Sequence, residues 1–278
     1  MEFKLIHSRS SVYTIRLNEV GFSAEEYSRF KFGDKQVAKK FAIELFDHFI
    51  KENLHRIKDR NITIYSSPYV TLPTSSFYLT EYFYEKFKND YSSLVRNIKF
   101  EKINRNQTYT VDYGNLAAIE RYNLIKNDTY SFNNLPHVND FLIFIDDISI
   151  TGSHQFVVES LLSKLEIKNE VVFLYFAKLE DSNVLPSFEN ELNYAEIKSI
   201  RELSQLFTTK EFGLTTRAVK YILALNDSDF DYFIESIKKT GKSKILSLIY
   251  FSALENKYGE IDMYRKNLLK MKEGNYSE

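Results

Sequence analysis

Two apolar runs separated by a helical pattern constrain the fold of this chain more than any other feature. The runs "FLIFI" at 141–145 and "VVFLYFA" at 171–177 are continuously apolar, as strands buried on both faces of a parallel sheet are. Between them Val157, Leu161 and Leu165 recur at helical spacing and predict one buried stripe. The pattern therefore predicts a strand–helix–strand unit with parallel strands, within an α/β fold that has a parallel sheet and flanking helices.

The composition excludes several classes of protein. The 278 residues are 44% hydrophobic, enough for a packed core, and 37 basic against 38 acidic residues leave a net charge of −1. Such a chain has no general basic field, so a nucleic-acid partner is not expected. It has no cysteine and therefore no thiolate chemistry. The start "MEFKLIHSRS" lacks the apolar core of a signal peptide, and no run reaches the ~20 apolar residues of a membrane span, so we expect a cytoplasmic protein without a membrane partner.

Capping residues and periodicity predict two helices near the N-terminus. Ser23 followed by Glu26 is a candidate capping box, and Asp34 is a candidate cap for the second helix. The apolar face of that second helix consists of Ala38, Phe41, Ala42, Leu45, Phe46 and Phe49. Further along, "NITIYSS" at 61–67 predicts a strand, and a polar loop then leads into an aromatic-rich helix at about 76–88.

Three segments in the middle of the chain give weaker signals. Residues 95–103 alternate as a strand does, residues 104–116 are polar and predicted to be mobile, and residues 117–126 predict a short helix. We expect the polar segment to close over a bound ligand as a lid.

The pattern changes at about residue 200, after which helical periodicity dominates. We therefore expect an α/β domain over 1–200 and a C-terminal helical region over 201–278. In "TTRAVKYILAL", Arg217 and Lys220 fall on one face of a helix. We predict that this face is solvated.

The stretch "DDISITGS", which begins at Asp146, carries the clearest functional signal. In an open α/β sheet, ligands bind outside the carboxyl ends of the strands, where loops lead into helices, and this stretch occupies that position. Thr151, Gly152 and Ser153 precede a predicted helix, whose unpaired N–H groups and dipole favour a phosphate. The carboxylates of Asp146 and Asp147 accept hydrogen bonds and so suit hydroxyls. A ligand with vicinal hydroxyls at one end and a phosphate at the other is a ribose 5-phosphate.

Residues 141–154 resemble the signature of type I phosphoribosyltransferases, in which an apolar run, two acidic residues and three variable residues precede a Thr-Gly loop. The resemblance implies that Asp146 and Asp147 are the catalytic pair, holding the ribose hydroxyls of phosphoribosyl pyrophosphate (PRPP). It also implies that the 5-phosphate is bound by Ser149, Thr151, Gly152, Ser153 and His154.

Two positions depart from the family pattern. Ile150 stands where some members carry an aspartate that acts as a general base toward the nucleobase, so no base is assigned from this loop. His154 replaces the usual final threonine or serine, although its ring can still donate to a phosphate.

Weaker similarities extend the resemblance over roughly residues 25–180. The segments "RFKFGD" (29–34) and "ERYNLIKNDTYSF" (120–132) are similar to parts of the ComF-like branch of the family. The loop at 66–76 falls where the family binds pyrophosphate, and this implies contacts from Ser66, Ser67, Thr71, Thr74 and Ser75. Cationic candidates for the lid or the pyrophosphate are Lys31, Lys102, Arg105 and Arg121, each of which also has a simpler interpretation as a solvated or locally paired charge. Beyond residue 200 no family module is identified.

The resemblance implies a transferase that moves the phosphoribosyl group of PRPP to an unidentified nitrogenous acceptor and releases pyrophosphate. Mg²⁺ is expected as cofactor, bound mainly through the substrate, so no dedicated protein ligands are assigned. The alternative is a non-catalytic PRPP- or nucleotide-sensing protein whose helical tail binds a partner, in the setting of a bacterial stress response; Ile150 and His154 favour it. A structural scaffold with a degenerate motif is a third interpretation. A homo-oligomer is compatible with the sequence, which names neither the acceptor nor the pathway.

Overall fold

The structure is a computed structural model that describes residues 7–16, 19–105, 130–181, 183–274 and 276. The strands of its main sheet are β1 (His7–Ile15), β2 (Asn61–Ser66), β3 (Asn97–Glu101), β6 (Phe141–Ser149) and β7 (Val171–Leu179). In the described residues these five strands are all parallel and lie in the order β1-β7-β6-β2-β3. The short strands β4 (Ile103–Arg105) and β5 (Tyr130–Phe132) form a separate antiparallel pair.

Helices surround the sheet and make up the C-terminal part of the chain. The first four are α1 (Ala24–Lys31), α2 (Lys35–Ile57), α3 (Ser75–Tyr91) and α4 (Ser153–Lys164). The others are α5 (Phe188–Asn193), α6 (Ile200–Thr209), α7 (Thr216–Leu223), α8 (Asp227–Lys239), α9 (Lys244–Glu255) and α10 (Asp262–Glu273), with a 3₁₀ turn at Tyr258–Glu260. Among the described residues, no helix is both long and apolar enough to cross a membrane.

The two apolar runs form the centre of the sheet, as predicted. In β6 successive side chains alternate between two cores, and Phe141, Ile143 and Ile145 belong to the core that contains α2 and α3. Leu142 and Phe144 belong to the core that contains α4. Because both faces are covered by helices, neither run needs a polar side chain before its carboxyl end.

Strand β1 was not predicted from the sequence. Among the residues that the structure describes it pairs only with β7, so it lies at an edge of the sheet, and within its sequence "HSRSSVYTI" Ile15 alone is fully buried. An edge strand with partly exposed faces carries no continuous apolar run, which is why periodicity did not reveal it.

The predicted helix caps are present with one difference. Asp34 accepts hydrogen bonds from the amides of Gln36 and Val37 at the start of α2, and the six predicted apolar residues of that helix are buried. Ser23 accepts from the amide of Glu26, but the Glu26 carboxylate is paired with Lys40 instead of completing a capping box.

The buried stripe of α4 differs from the prediction by one residue. Val158 and Leu162 are buried, whereas Val157 and Leu161 are half-buried and Leu165 is exposed. Adjacent columns of a helix share the same spacing, so the periodicity of this short segment did not decide which column faces the sheet.

The C-terminal helices pack on one another and dock onto the sheet domain. Phe32 and Leu72, which precede them in the chain, are buried in the core of the helical region. The amide of Gly213 donates to the carbonyl of Gly33 over 2.8 Å, so two backbone segments meet without intervening side chains. The helical region is therefore held against the sheet domain by backbone contacts as well as by apolar packing.

Replacing Gly33 by alanine is expected to weaken this docking. Gly33 has a φ of +103°, and an added Cβ would overlap the carbonyl oxygen of Gly213; Gly241, with a φ of +71° and no neighbouring atom within 4 Å, is the matched control. We expect Gly241→Ala to lower the free energy of unfolding by about 1–2 kcal/mol through its positive φ alone. Gly33→Ala should cost about 1–3 kcal/mol more because of the overlap. Urea denaturation measures both values, and equal losses would contradict the close approach.

Candidate active site

The carboxyl ends of β2 and β6 form one edge of a cavity. These strands are neighbours in the sheet, but the chain leaves β2 toward β3 and leaves β6 toward β7, so the strand order reverses between them. Ligands of open α/β sheets bind at such a reversal. A cavity of about 560 Å³ lies there, between the loop after β2, the loop after β6 and the C-terminal helices.

Asp147 is buried and bonded to the protein through both carboxylate oxygens. One oxygen lies 2.5 Å from the Lys31 ammonium and accepts hydrogen bonds of 3.3 Å from Ser75 and Tyr27. The other accepts from the amide of Ile148 over 2.9 Å. Asp147 thereby holds Lys31, whose side chain is only 12% exposed, on the wall of the cavity.

Asp146 has fewer partners and also lines the cavity. One of its oxygens accepts hydrogen bonds of 2.8 Å from the Ser76 hydroxyl and from the amide of Asp147. Burial and the neighbouring charge of Asp147 raise the pKa of Asp146 to about 7. Burial also acts to raise the pKa of Asp147, but the charge and hydrogen bond of Lys31, together with hydrogen bonds to Asp146 and from the amide of Ile148, leave that pKa below its usual value. The pair therefore consists of one firmly ionised carboxylate and one that titrates near neutral pH.

The loop after β6 leads into the N-terminus of α4, as the sequence predicted. Gly152 caps the helix in the left-handed region with a φ of +71°, and a Cβ added there would meet no protein atom within 4 Å. The hydroxyls of Thr151 and Ser153 are 2.7 Å apart, and Nδ1 of His154 is 3.1 Å from the hydroxyl of Tyr130. All the predicted phosphate-binding residues line the cavity: Ser149, Thr151, Gly152, Ser153 and His154. The first amides of a helix and three hydroxyls are suitable donors for a phosphate.

The structure brings only part of the loop after β2 to this cavity. Ser67, Thr74 and Ser75 lie on its wall. Ser66 instead faces a neighbouring void of about 30 Å³. Thr71 is exposed and does not line the cavity, because the amide of Thr71 donates to Asn256 in the helical region.

The four predicted cations also lie in different places. Lys31 and Arg105 line the cavity. Lys102 does not line the cavity. It donates to the carbonyl of Val70 and lies 4.2 Å from the ring centre of Tyr69, so it stabilises the loop after β2. Burial lowers the pKa of Lys102. Arg121 lies outside the described residues, as do the predicted helix at 117–126 and all but the first two residues of the predicted lid.

The C-terminal helices supply a wall of the cavity that the sequence analysis missed. Arg217 and Lys220 of α7 line the cavity, together with Tyr194, Tyr221 and Tyr258. The prediction that this face of α7 is solvated was therefore wrong. A helix whose polar face meets a polar cavity has the same amphipathic period as one whose polar face meets water, so the sequence pattern does not separate the two cases.

Within the described residues, no group of three or more acidic or histidine side chains could hold a metal ion on its own. Of the adjacent aspartates, Asp147 is paired with Lys31, so Asp146 is the carboxylate that could bind a cation. A single carboxylate suits a cation that keeps its waters and takes its other ligands from a substrate, as Mg²⁺ does.

The chain belongs to the ComF-like phosphoribosyltransferase family, whose sequence model matches residues 6–271. The match is wider than the predicted 25–180 and includes most of the C-terminal helical region, for which the sequence alone suggested no family module. The family, the sheet order and the Asp-Asp and Thr-Gly loops agree on a phosphoribosyltransferase-like fold. No curated protein matches the sequence significantly.

Several solved structures show limited similarity to this chain. An adenine phosphoribosyltransferase is 14% identical, with a TM-score of 0.32 over 50% of this chain and 70% of that chain. The adenine phosphoribosyltransferase of Saccharomyces cerevisiae is 13% identical, with a TM-score of 0.31 over 50% and 68%. A hypoxanthine phosphoribosyltransferase from Trypanosoma cruzi, in complex with the product IMP, is 9% identical, with a TM-score of 0.35 over 53% and 78%. Scores this low add nothing to the family assignment.

The two aspartates are expected to affect stability in opposite directions. Because the folded pKa of Asp146 is raised to about 7, the folded protein keeps a proton that the unfolded chain loses near pH 4, and the contribution of Asp146 to stability should fall as pH rises from 4 to 7. Asp146→Asn should remove this fall and raise the free energy of unfolding at pH 8 by about 1 kcal/mol or more. Asp147→Asn leaves Lys31 without its partner charge and should cost about 3–5 kcal/mol. Denaturation between pH 4 and 8 measures both, and a loss of stability in Asp146→Asn at pH 8 would contradict the assignment.

Proposed function

We propose that this protein binds PRPP in the cavity at the carboxyl ends of β2 and β6 and transfers its phosphoribosyl group to a nitrogenous acceptor. One observation carries the proposal. The amides and hydroxyls at the N-terminus of α4, the hydroxyls of the loop after β2 and the carboxylate of Asp146 all line the same cavity. PRPP needs these three kinds of partner together, for its 5-phosphate, its pyrophosphate and the ribose hydroxyls.

In the proposed complex the 5-phosphate binds the amides and hydroxyls at residues 151–153. The ribose hydroxyls bind Asp146, whose carboxylate retains acceptor capacity beyond its hydrogen bonds from Ser76 and from the amide of Asp147. The pyrophosphate lies toward Ser67, Thr74 and Arg105. Asp147, bonded through both oxygens, acts as a positioning residue for Lys31 and is not a direct ribose ligand.

The reaction forms a bond between C1 of the ribose and a nitrogen of the acceptor. The bond between C1 and the pyrophosphate oxygen breaks, and its electron pair leaves with pyrophosphate. A proton on the attacking nitrogen, where there is one, passes to solvent. The sugar acquires positive charge in the transition state, as in other glycosyl transfers, and the Asp146–Asp147 pair lies where it can stabilise that charge. Bound Mg²⁺ would neutralise the leaving pyrophosphate, and Asp146 is the carboxylate that could help to hold it.

A specific observation favours a second candidate, the non-catalytic PRPP- or nucleotide-sensing protein. Asp147 is paired with Lys31, so one carboxylate remains to bind the ribose, whereas the family pattern uses two. Ile150 lines the cavity without offering a base. Because α7 contributes to the cavity wall, a bound ligand would contact the helical region directly. Release of pyrophosphate separates the two candidates, since a sensor binds PRPP without consuming it.

Calorimetry with PRPP and Mg²⁺ tests the phosphate site through Gly152→Ala. Its control is Gly241→Ala, because both glycines have a φ of +71° and open space where a Cβ would lie. The two variants should lose similar stability, but only Gly152→Ala narrows the approach to the α4 amides. We expect it to weaken PRPP binding about tenfold or more, by loss of one charge-assisted hydrogen bond or more, while Gly241→Ala binds as the wild type does. Equal PRPP affinity in both variants would place the phosphate elsewhere.

The same titrations, followed by a pyrophosphate-release assay, decide between the two candidates. Asp146→Asn should bind PRPP more weakly than wild type, with the exposed Asp90→Asn as a control for loss of a carboxylate. Wild-type binding with acceptor-dependent release of pyrophosphate establishes the transferase. Binding without release from any acceptor tried favours the sensor, and no binding removes both.

A further inference from the structure

One wall of the cavity differs in chemistry from the two loops assigned to PRPP. Its side chains come from α5 and the residue after it, from α7 and from the segment 258–264, none of which contributes to the loops assigned to PRPP. On α7, Ala218, Val219, Ile222 and Leu223 are buried in the helical core, while the face formed by Thr216, Arg217, Lys220 and Tyr221 lines the cavity. The polar face of α7 is therefore directed at the ligand space.

Hydrogen bonds at the N-terminus of α7 fix the position of this helix relative to Lys31 and to the loop after β2. The hydroxyl of Thr215 donates to the carbonyl of Lys31 over 3.1 Å. The amide of Thr216 donates to the carbonyl of Pro73 over 2.8 Å, and its hydroxyl donates to that of Leu72 over 2.9 Å. These contacts join α7 to the residue that pairs with Asp147 and to the loop assigned to pyrophosphate. A group bound on α7 is thus held at a defined place relative to the ribose.

Two cations on this wall lie over tyrosine rings. The guanidinium carbon of Arg217 is 5.6 Å from the ring centre of Tyr194, and the ammonium of Lys220 is 5.8 Å from that of Tyr258. Arg217 and Lys220 are three residues apart on one helix, which places their Cβ atoms about 5–6 Å from each other. At that spacing both side chains can reach a single anionic group, and a guanidinium can bind a carboxylate through two hydrogen bonds.

The same wall contains two tyrosine rings that are held in place by a buried phenylalanine. The rings of Tyr194 and Tyr221 are 6.2 Å apart, and each packs edge-on against the fully buried Phe32, at 5.8 and 5.5 Å. Among the described lining residues of this wall, Glu189 is the one acidic side chain, set against Arg217 and Lys220. A planar ring could stack on the tyrosines while its negative substituent meets the cations.

We propose that this wall binds the acceptor, and that the acceptor is a planar nitrogen compound carrying a carboxylate. The inference rests on the proposed transferase function and names the substrate class of that site. Arg217 and Lys220 bind the carboxylate, and the half-buried Tyr194 and Tyr221 supply the surface on which the ring lies. The reacting nitrogen then faces the ribose at Asp146.

The test uses the full chain with PRPP and Mg²⁺ and pairs of compounds that differ in a carboxylate: orotate and uracil, nicotinate and nicotinamide, anthranilate and aniline. Pyrophosphate release gives kcat/KM, and ligand-observed NMR on the PRPP-saturated protein gives affinity for compounds that are not turned over. We expect the carboxylate member of at least one pair to be preferred about tenfold or more. No preference in any pair would overturn the inference.

Substitutions in α7 test whether Arg217 and Lys220 cause the preference for a carboxylate. Arg217→Gln and Lys220→Gln should each reduce the preference about tenfold, and Arg217→Lys should retain part of it. Arg201→Gln is the matched control, because Arg201 also lies over a tyrosine ring, that of Tyr232 at 5.2 Å, but does not line the cavity. PRPP affinity should be unchanged in all of them. A preference that survives both glutamine variants overturns the inference, and so does an equal loss of PRPP affinity, which would assign these cations to pyrophosphate. If wild-type protein does not bind PRPP, the proposed function itself fails.

Discussion

β6 hydrogen-bonds to β2 on one side and to β7 on the other, and both of its faces are covered by helices. The register with β2 places Ser66 opposite Ile145, so Asp146 and Asp147 follow just past the end of the neighbouring strand. There the loop after β2 begins, and the N-terminus of α3 brings Ser75 and Ser76 to the two carboxylates. A shift of one residue in this pairing would turn the side chains of β6 to the opposite faces of the sheet and separate the carboxylates from these partners.

Burying two adjacent carboxylates at the end of a strand costs free energy, and Asp146 and Asp147 differ in how far their partners offset that cost. Asp147 is neutralised by Lys31 and satisfied by three further donors, an arrangement that suits a structural group. Asp146 accepts hydrogen bonds from the Ser76 hydroxyl and the amide of Asp147, but burial and the charge of Asp147 raise its pKa, so its charged form is destabilised. Groups kept in an unfavourable state without a ligand are typical of functional sites, because a ligand that donates hydrogen bonds can relieve the cost.

Most of the sheet and the loop after β6 could be predicted from the sequence because their signals are local. A strand buried on both faces must be continuously apolar, and Asp34, followed by the apolar residues of α2, specifies the start of that helix. The same reasoning did not find β1, an edge strand with a polar sequence, and it chose the wrong column of α4.

The far side of the candidate site could not be predicted, since it depends on contacts between distant parts of the chain. Arg217 lines the cavity only because Gly33 and Gly213 allow the helical region to approach the sheet domain, and because Asn256 binds the amides of the loop after β2. The same binding by Asn256 holds Thr71 away from the position that the family resemblance implied. Local periodicity contains no information about such pairings, so it assigned the polar face of α7 to solvent.

A crystal structure of the protein with PRPP and Mg²⁺ tests the central claim most directly. The account predicts the 5-phosphate within hydrogen-bonding distance of the amides and hydroxyls at residues 151–153, a ribose hydroxyl on Asp146 and the pyrophosphate toward Ser67 and Thr74. PRPP bound with its 5-phosphate away from the N-terminus of α4, or crystals grown at saturating PRPP with none in this cavity, would contradict it.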